Sequence, residues 1–355
     1  MDITTYIQDK KALVSSFITS YLKQTVLPQV SSVGSWGNDA VNRILSLTIE
    51  GKMLRTALVF LSNDICAETQ NTDTLVKTAA ALELIQTGLL IHDDIMDKDT
   101  QRRGLDSIHI QYQKIFSSDG TKNPDKTGES FAICAGDVAY FLAYQILGSI
   151  KPTGLSQTLT THFSTQNTLV CIGQMLDVYG GQTTKQLSER EILAIYEHKT
   201  ARYTTLLPMT AGALIAGATE KTIKQIEKLG IALGILFQIK DDHLNMFGDS
   251  KMTGKPIGSD IREGKQTLYR YFLFSKATGN DNDQLKQIFG NPNITDKDIV
   301  FVRNQITHLK IEQDICDIVD KQHVIIKEVL DHTPMKNEGK LLLNEFITYL
   351  STRNR

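Results

Sequence analysis

The chain has 355 residues, of which 41% are hydrophobic, and its 38 Lys and Arg against 40 Asp and Glu give a formal charge of −2. This balance excludes a global electrostatic attraction to nucleic acid or to an anionic membrane, so any phosphate chemistry must come from local basic clusters. Only seven prolines occur and no Pro-, Gly- or Ser-rich linker is visible, which predicts a single domain over residues 1–355.

The N-terminal sequence and the cysteines indicate an intracellular protein. Residues 2–11, DITTYIQDKK, lack the basic stretch and apolar core of a targeting segment, and no uncharged apolar run reaches the about 18 residues of a membrane span. The four cysteines have neither CxxC nor Cys/His metal spacing, which predicts reduced core residues. They are Cys66, Cys134, Cys171 and Cys316. We expect a cytoplasmic location without stable membrane insertion and without nucleic-acid binding.

Apolar residues recur at helical spacing along most of the chain, whereas alternating strand patterns are nearly absent. The spacing predicts helices in six long segments, which are 73–96, 129–148, 156–182, 189–217, 220–247 and 297–331. Two polar stretches rich in turn formers, 116–129 and 248–266, are predicted to be breaks between helices. The fold class is therefore all-α, with about ten or more helices of ordinary length.

The first of these helical segments ends in three aspartates within the sequence DDIMD. Asp93 and Asp97 lie about one turn apart on one helical face, with Asp94 beside them. Like charges at this spacing destabilise a helix, and carboxylates beside apolar residues cost more unless a cation neutralises them. A single DDxxD motif is nevertheless more often a solvated helix face than a metal site.

A second acidic cluster with the same spacing follows another apolar segment downstream. The sequence FQIKDDHLNMF carries Asp241, Asp242 and Asn245. Two such clusters, each directly after apolar helical sequence, indicate bound cations. All the candidate ligands are hard oxygen atoms, which favours Mg²⁺ over zinc. Because Mg²⁺ takes few carboxylates in most sites, water and substrate phosphate oxygens would complete its coordination.

Basic residues accompany the acidic clusters. Lys52 and Arg55 lie three residues apart at a helix start, where Gly51 allows close approach to the backbone. A lone lysine or arginine is most often surface charge, so the signal lies in its joint occurrence with the acidic repeat. The other members of this set are Arg102, Arg103, Lys199 with Thr200, Lys255 and Lys265. Together the clusters predict that carboxylates bind metals, metals bind one diphosphate, and the basic residues complete its shell and bind a second.

In their order along the chain, these motifs resemble those of the trans-isoprenyl diphosphate synthases, or polyprenyl synthetases. The resemblance rests on GKxxR (51–55), Gln86, DDxxD followed by RRG (93–104), His109, GD (136–137), GQxxD (173–177), KT (199–200), FQxxDD (237–242) and GKPIGSDIxEGK (254–265). It implies an all-α homodimer of the isoprenoid-synthase type. In that fold a helix bundle surrounds a deep central cavity, and the two acidic motifs face each other across its mouth.

The resemblance implies head-to-tail condensation of isopentenyl diphosphate with a dimethylallyl, geranyl or farnesyl diphosphate, releasing diphosphate. It implies Mg²⁺ as the cofactor, three ions with substrate bound, with Mn²⁺ as a substitute. The implied metal ligands are Asp93, Asp94, Asp97, Asp241 and Asp242. Arg102, Lys199 and Lys255 would stabilise the leaving group as the C–O bond ionises.

The other implied roles concern substrate binding. Isopentenyl diphosphate would be bound by Gly51, Lys52, Arg55, Gln86 and Arg103. Thr200 and Gln238 would orient and shield the allylic cation, and Lys265 would contact phosphate. His92 and His109 are expected to be structural hydrogen-bonding residues, because a helical His beside apolar sequence usually is one.

Three departures from the family pattern bear on these expectations. Asn245 stands where many relatives have a third aspartate, and its carbonyl oxygen predicts somewhat weaker metal binding at most. The segment 116–129 is longer than in many relatives. Gly88 and Leu89, the positions that often cap the product tunnel when aromatic, leave a gap and predict products of C20 or longer. The aromatic residues Tyr140, Phe141 and Tyr144 are candidates for a lower floor of that tunnel, although such a stripe is more often plain core.

Two other interpretations remain open at this stage. A class I terpene cyclase would share the helical fold and a DDxxD motif, but it has no need of an isopentenyl diphosphate site and its second motif differs from FQxxDD. A catalytically silent partner subunit would be expected to lose acidic or basic ligands, and here both clusters persist apart from Asn245.

Overall fold

The computed structural model describes residues 2–67, 71–248 and 258–352, and it is almost entirely helical. The predicted all-α class is confirmed. The chain divides into two compact units, the first comprising Met1–Phe163, Pro208–Thr219 and Met335–Leu343, and the second Ser164–Leu207, Glu220–Pro334 and Asn344–Arg355. The single domain predicted over 1–355 stays a prediction, since packing units are not by themselves functional domains.

The first unit is built mainly from the N-terminal helices. Its elements are α1 (Ile3–Tyr21), a π-helical turn (Leu22–Val26), α2 (Leu27–Ser31), α3 (Ser35–Ile49), α4 (Leu54–Cys66), α5 (Thr72–Met96), β1 (Gln101–Arg102), β2 (Leu105–Asp106), α6 (Ile108–Ser118) and α7 (Pro124–Gly148). The helix α5 is its centre, because it contacts α1, α3, α4, α6 and α7. Leu75, Ala79 and Leu82 of α5 are fully buried. A helix that is apolar on nearly all sides is stable only when other helices surround it.

The second unit takes its helices from the rest of the chain, apart from residues 153–163, 208–215 and 337–343, which belong to the first unit. The next elements in chain order are α8 (Thr153–Gln182), α9 (Glu189–Ile195), a π-helical segment (Tyr196–Leu206), α10 (Leu207–Ile215), α11 (Glu220–Phe247), α12 (Ser259–Glu263), α13 (Leu268–Lys276), α14 (Gly279–Ile288), α15 (Asp296–His308), α16 (Ile311–His332) and α17 (Asn337–Thr352). Ser188 caps α9 in a reciprocal arrangement with Glu191. Ile192, Leu268 and Ile311 belong to the apolar core of this unit. Burial of such side chains is the main stabilising term of a helical unit.

Three sequence-based expectations on local structure are corrected. The break predicted at 248–266 contains the short helix α12 (Ser259–Glu263), and its residues 249–257 lie outside the described residues. The break predicted at 116–129 is only residues 119–123, because α7 already begins at Pro124, a residue that suits the first turn of a helix. The segment 297–331 is two helices, since Lys310 adopts a left-handed conformation between them (φ 54°). No glycine or proline marks that interruption in the sequence.

The cysteines are not the core residues that were predicted. All four are free thiols, as expected, but Cys134, Cys171 and Cys316 are exposed and Cys66 is partly exposed. Each lies on a helix that also has buried residues, and local apolar sequence does not determine which side of a helix a given residue occupies.

Within the part of the chain that the structure describes, two helices, α5 and α7, are long and apolar enough to cross a membrane by length and composition alone. The apolar window of α5 is mostly buried within the structure. A buried core helix passes the same test, so this length and composition are weak evidence for a membrane span.

Candidate functional site

The loop before α4 contains Gly51, and the backbone there lies against the side chain of Arg103. Gly51 is buried, and a Cβ atom added to it would lie 3.0 Å from Nη2 of Arg103. Met53 precedes the helix in a left-handed conformation (φ 53°), and Arg55 in the first turn is only 8% exposed. A side chain at residue 51 would therefore displace the Arg103 guanidinium from the GKMLR segment.

Arg102 and Arg103 lie in a β-hairpin with a two-residue turn, and their side chains point in different directions. Gln101–Arg102 pairs antiparallel with Leu105–Asp106. The two residues of the turn, Arg103 and Gly104, both have positive φ (55° and 78°), as the tightest hairpin turns require. The Arg103 side chain donates a hydrogen bond through Nη1 to the carbonyl oxygen of Leu47 near the end of α3. Arg102 instead turns back toward the end of α5.

Arg102 binds the first acidic motif directly. Its Nε donates to Oδ1 of Asp94 at 2.7 Å, its Nη2 donates to Asp99 at 3.1 Å, and Asp93 Oδ2 lies 3.8 Å from Nη2. Burial lowers the pKa of Arg102, but the surrounding carboxylates, first Asp94, outweigh it and hold the pKa above its usual value. Arg102 therefore remains charged and is a fixed counter-ion of the acidic motif.

The aspartates of the first motif have different environments. Asp94 is 1% exposed, and burial raises its pKa to about 6 although Arg102 opposes the shift. Its Oδ2 is buried and makes no hydrogen bond to the part of the chain that the structure describes. Asp93 and Asp97 are partly exposed. Their spacing in the sequence does not predict which of these three carboxylates is buried. In the structure Asp94 points toward Arg102, whereas Asp93 and Asp97 keep access to solvent.

Arg102 and Arg103 also line a cavity of about 310 Å³ in the first unit. Its other walls include α3 residues such as Asn42 and Ser46, together with Leu105 of the hairpin. Both arginines therefore border the same cavity.

The second acidic motif shows the same division between its two aspartates. Asp242 is 5% exposed and accepts hydrogen bonds from the Tyr196 hydroxyl and, at 2.7 Å, from Gln238 Nε2. Burial and then the charge of Asp260 raise its pKa well above the usual range. Asp241, the preceding residue, is partly exposed. Both oxygens of Asp242 thus have partners within the protein, whereas Asp241 has access to solvent.

A hydrogen-bonded chain connects this aspartate to Thr200. The Thr200 hydroxyl donates to Oε1 of Gln238 at 2.6 Å, and Gln238 donates in turn to Asp242. The Tyr196 hydroxyl, which donates to Asp242, accepts from the backbone N–H of Leu268 at 3.0 Å. Both Tyr196 and Thr200 lie in the π-helical segment, a conformation that often occurs at functional sites.

Two predicted phosphate-binding lysines meet at an aspartate that was given no role of its own. Lys199 Nζ lies 2.6 Å from Asp177 Oδ2, and Lys265 Nζ lies 3.6 Å from the same atom. Lys265 also pairs with Glu263 at 3.2 Å. Gly173, one turn before Asp177 on α8, has the backbone of Lys199 where a Cβ atom would be. The only sequence signal for Asp177 was its place at the end of the GQxxD motif.

Asn245 stands where many relatives have a third aspartate, and both the nitrogen and the oxygen of its side-chain amide are hydrogen-bonded within the protein. Its Nδ2 donates to Ser259 Oγ at 2.6 Å, and its Oδ1 accepts from the N–H of Asp260 at 3.3 Å. Its backbone oxygen accepts from the N–H of Gly258 at 3.1 Å. Asn245 therefore fixes the start of α12, and its carbonyl oxygen, which was expected to be offered to metal, is engaged there.

The remaining predicted residues of the first unit lie on or beside α5. Lys52 is exposed, and Gln86 and Leu89 are partly exposed. Gly88 does not leave the expected gap, because a Cβ atom there would lie 2.7 Å from Cε1 of Tyr140. The premise of an open space at residue 88 is therefore wrong: a ring from α7 occupies it.

The two histidines differ from each other. His92 Nε2 lies 3.0 Å from the carbonyl oxygen of Ile133 and so forms the structural hydrogen bond that was expected. His109 is buried, and its Nδ1 makes no hydrogen bond within residues 2–67, 71–248 and 258–352. Lys255 lies outside the described residues.

Among the described residues, no group of three or more His, Cys, Asp or Glu side chains stands in a preformed metal-binding arrangement. The donor set nevertheless fits Mg²⁺, which uses one or two carboxylates and leaves several positions to water and phosphate. Asp93, Asp97 and Asp241 offer partly exposed oxygens of the required kind.

Comparison with known proteins identifies the family. The family model for polyprenyl synthetases matches residues 38–306. A short chain isoprenyl diphosphate synthase of Methanocaldococcus jannaschii is 32% identical over 251 residues, 70% of each chain. A geranylgeranyl diphosphate synthase of Saccharolobus solfataricus is 31% identical over 294 residues, 82% of each chain.

A solved structure agrees with this assignment over the whole chain. Geranylgeranyl pyrophosphate synthase from Corynebacterium glutamicum, complexed with isoprenyl diphosphate and magnesium, is 26% identical with a TM-score of 0.90, covering 99% of this chain and 100% of that one. This chain belongs to the polyprenyl synthetase family, as its motifs predicted, and it is a trans-prenyltransferase.

Proposed function

We propose that this prenyltransferase condenses isopentenyl diphosphate head-to-tail with an allylic diphosphate and makes linear all-trans products of C20 or longer. Relatives named geranylgeranyl and geranylfarnesyl diphosphate synthases support this product range. The observation that carries the proposal is the divergence of Arg102 and Arg103 at the hairpin. Arg102 binds the first acidic motif and Arg103 lies against the Gly51 segment. Two adjacent residues can thus bind two diphosphates side by side, as a condensation of two diphosphate substrates needs.

Divalent cations complete the site of the allylic substrate in this proposal. Asp93 and Asp97 on α5 and Asp241 on α11 would hold Mg²⁺, three ions with substrate bound, or Mn²⁺ in its place. The magnesium in the related Corynebacterium glutamicum structure supports a divalent metal. When bound, the ions supply positive charge that favours departure of diphosphate. Asp94 and Asp242 are buried behind these ligands, and we assign them the positioning of Arg102 and of Tyr196 with Gln238.

The basic residues stabilise charge that develops on the leaving group. Arg102, Lys199 and Lys255 would bind the departing diphosphate, and Lys265 would assist through the shared contact of the lysines with Asp177. Gly51, Lys52, Arg55, Gln86 and Arg103 would bind isopentenyl diphosphate. The Thr200–Gln238 pair, fixed by a 2.6 Å hydrogen bond, would orient the allylic cation.

Product length depends on the contact between α5 and α7. Because the Tyr140 ring fills the space beside Gly88, we propose that Tyr140, rather than a residue of α5, limits growth of the chain at this level. Gly88 and Leu89 would then affect product length only indirectly, through the room they leave for this ring.

We propose that the active form is a homodimer in the cytoplasm. An apolar stripe on α8 supports an association surface, because its exposed members recur at helical spacing. These residues are Ile172 (50% exposed), Met175 (65%), Leu176 (41%) and Tyr179 (58%). Burial of such a stripe against a second copy would remove it from water.

The reaction is tested with purified protein, isopentenyl diphosphate and each of the dimethylallyl, geranyl and farnesyl diphosphates, with Mg²⁺ or with chelator. A ladder of linear prenyl alcohols after dephosphorylation, absent with chelator, is the expected result. Failure to consume isopentenyl diphosphate with any starter would contradict the proposal and favour a silent subunit or a cyclase.

Two matched variants separate the substrate sites. Arg103→Gln should raise KM for isopentenyl diphosphate, whereas Arg102→Gln should lower kcat with the allylic substrate. Equal effects of both variants on both substrates would contradict the assignment of one arginine to each diphosphate.

A further inference from the structure

A buried glutamate, to which the proposed mechanism assigns no role, lies beside the GKMLR segment. Glu83 of α5 is 2% exposed. Its Oε1 accepts hydrogen bonds from the backbone N–H of Thr56 at 3.1 Å and from the Thr56 hydroxyl at 2.8 Å. Thr56 is the third residue of α4, whose first N–H groups have no partner within the helix. Met53, the residue before α4, supplies no side-chain cap, so Glu83 caps α4 from a neighbouring helix.

The same carboxylate faces two arginines. Arg55 and Arg103 both interact electrostatically with Glu83, and their attraction opposes the rise in its pKa that burial causes. Burial lowers the pKa of Arg103, Glu83 opposes that shift, and the positive charge of Arg55 adds to it. The two guanidinium groups therefore oppose each other electrostatically within a buried region, and both attract the carboxyl group of Glu83, whose pKa burial raises.

We propose that Glu83 is a positioning residue of the isopentenyl diphosphate site. It fixes the Gly51–Arg55 segment through Thr56, and it offsets the repulsion between Arg55 and Arg103, so that both can bind one diphosphate. Glu83 itself does not contact the substrate. The inference rests on the proposed function, because it takes Arg55 and Arg103 as ligands of isopentenyl diphosphate.

The test is steady-state kinetics of Glu83→Gln, which keeps the size of the side chain and an oxygen for Thr56 but removes the charge. The expected result is a rise of about tenfold or more in KM for isopentenyl diphosphate, with KM for the allylic diphosphate and kcat within about twofold. Thr56→Val is the matched control, because it removes one hydrogen bond of the cap and retains the charge. It should lower the melting temperature and raise KM for isopentenyl diphosphate less than Glu83→Gln does, because the bond from the Thr56 N–H remains.

A purely structural role predicts instead that both variants lose stability and that the two KM values change together. That outcome would overturn the proposal. Should Glu83→Gln fail to fold, Glu83→Asp is measured in its place. Its side chain is shorter by one methylene group, so the carboxylate is kept but lies farther from Arg55 and Arg103. A smaller rise in KM, still selective for isopentenyl diphosphate, is expected. Wild-type activity is assayed in parallel, so that a wild type that does not consume isopentenyl diphosphate refutes the proposed function, and an unchanged KM in an active variant refutes only the role of Glu83.

Discussion

The ring of Tyr140 on α7 lies against Gly88 on α5, so closely that a Cβ atom at residue 88 would stand 2.7 Å from Cε1 of the ring. The reverse contact occurs one turn away, where the His92 ring occupies the space beside Gly136. The two rings meet edge to face, with centroids 5.4 Å apart. Each of the two helices therefore packs one ring against a glycine of the other helix. This packing leaves little room for either ring to move.

Product length should respond to Tyr140. Tyr140→Ala removes the ring beside Gly88 and is expected to lengthen the main product by at least one five-carbon unit. Phe141→Ala is the control, because Phe141 is 69% exposed and its removal should leave the length unchanged. Chromatography of the dephosphorylated products is the measurement. An unchanged product distribution in Tyr140→Ala would show that the tunnel ends elsewhere.

Asp177 should be needed for the allylic substrate. Asp177→Asn removes the charge that holds Lys199 at 2.6 Å and Lys265 at 3.6 Å. Because catalytic groups must be held in place to act, we expect kcat/KM for the allylic diphosphate to fall by about 10- to 100-fold, with KM for isopentenyl diphosphate unchanged. Glu263→Gln, which loses only a partly exposed contact with Lys265, should have little effect. Equal losses in the two variants would count against this role of Asp177.

Restoring a third acid to the second motif should not improve the enzyme. Asn245→Asp replaces the donor to Ser259 with an acceptor and adds negative charge beside Asp260. We expect the free energy of unfolding to fall by about 1 kcal/mol, with no gain in Mg²⁺ affinity. Asn293→Asp, a change at an exposed residue, is the control. Tighter Mg²⁺ dependence of activity in Asn245→Asp would instead identify residue 245 as a ligand position.

Stability should depend on pH through a half-buried histidine in the first unit. His162 Nε2 lies 2.6 Å from Thr210 Oγ1, and burial lowers the pKa of His162 from 6.5 to about 4. Between these values the unfolded chain binds a proton that the folded chain does not. The stabilising contribution of neutral His162 is therefore complete above about pH 6.5 and is lost as the pH falls toward about 4.

His162→Gln keeps a hydrogen-bonding group near Thr210 but cannot titrate. Between about pH 7 and about pH 5, the wild type should lose about 2 kcal/mol of unfolding free energy relative to this variant. Urea unfolding of both proteins at the two pH values measures the difference. A difference that is the same at both pH values would mean that His162 is protonated equally in the folded and unfolded chains.

The helical spacing of apolar residues predicted the all-α fold class, and the order of the motifs predicted the family. Helical spacing of apolar residues is a local property, and it predicted α5, α7, α8 and α11 with boundaries close to those observed. The oxygen-rich acidic clusters and the arginines after the first of them also stand in the sequence itself. Residue type limits chemistry directly, so the family and the kind of reaction followed without any knowledge of the tertiary structure.

Only the tertiary structure shows which member of each cluster is buried and which keeps access to solvent. Asp93 and Asp94 are neighbours in sequence, yet only Asp94 is buried against Arg102. The contacts of Glu83 with Thr56 and of Tyr140 with Gly88 join residues that are 27 and 52 positions apart in the chain. Such contacts arise from the packing of one helix face against another, and a single sequence specifies the period of each face but not its partner.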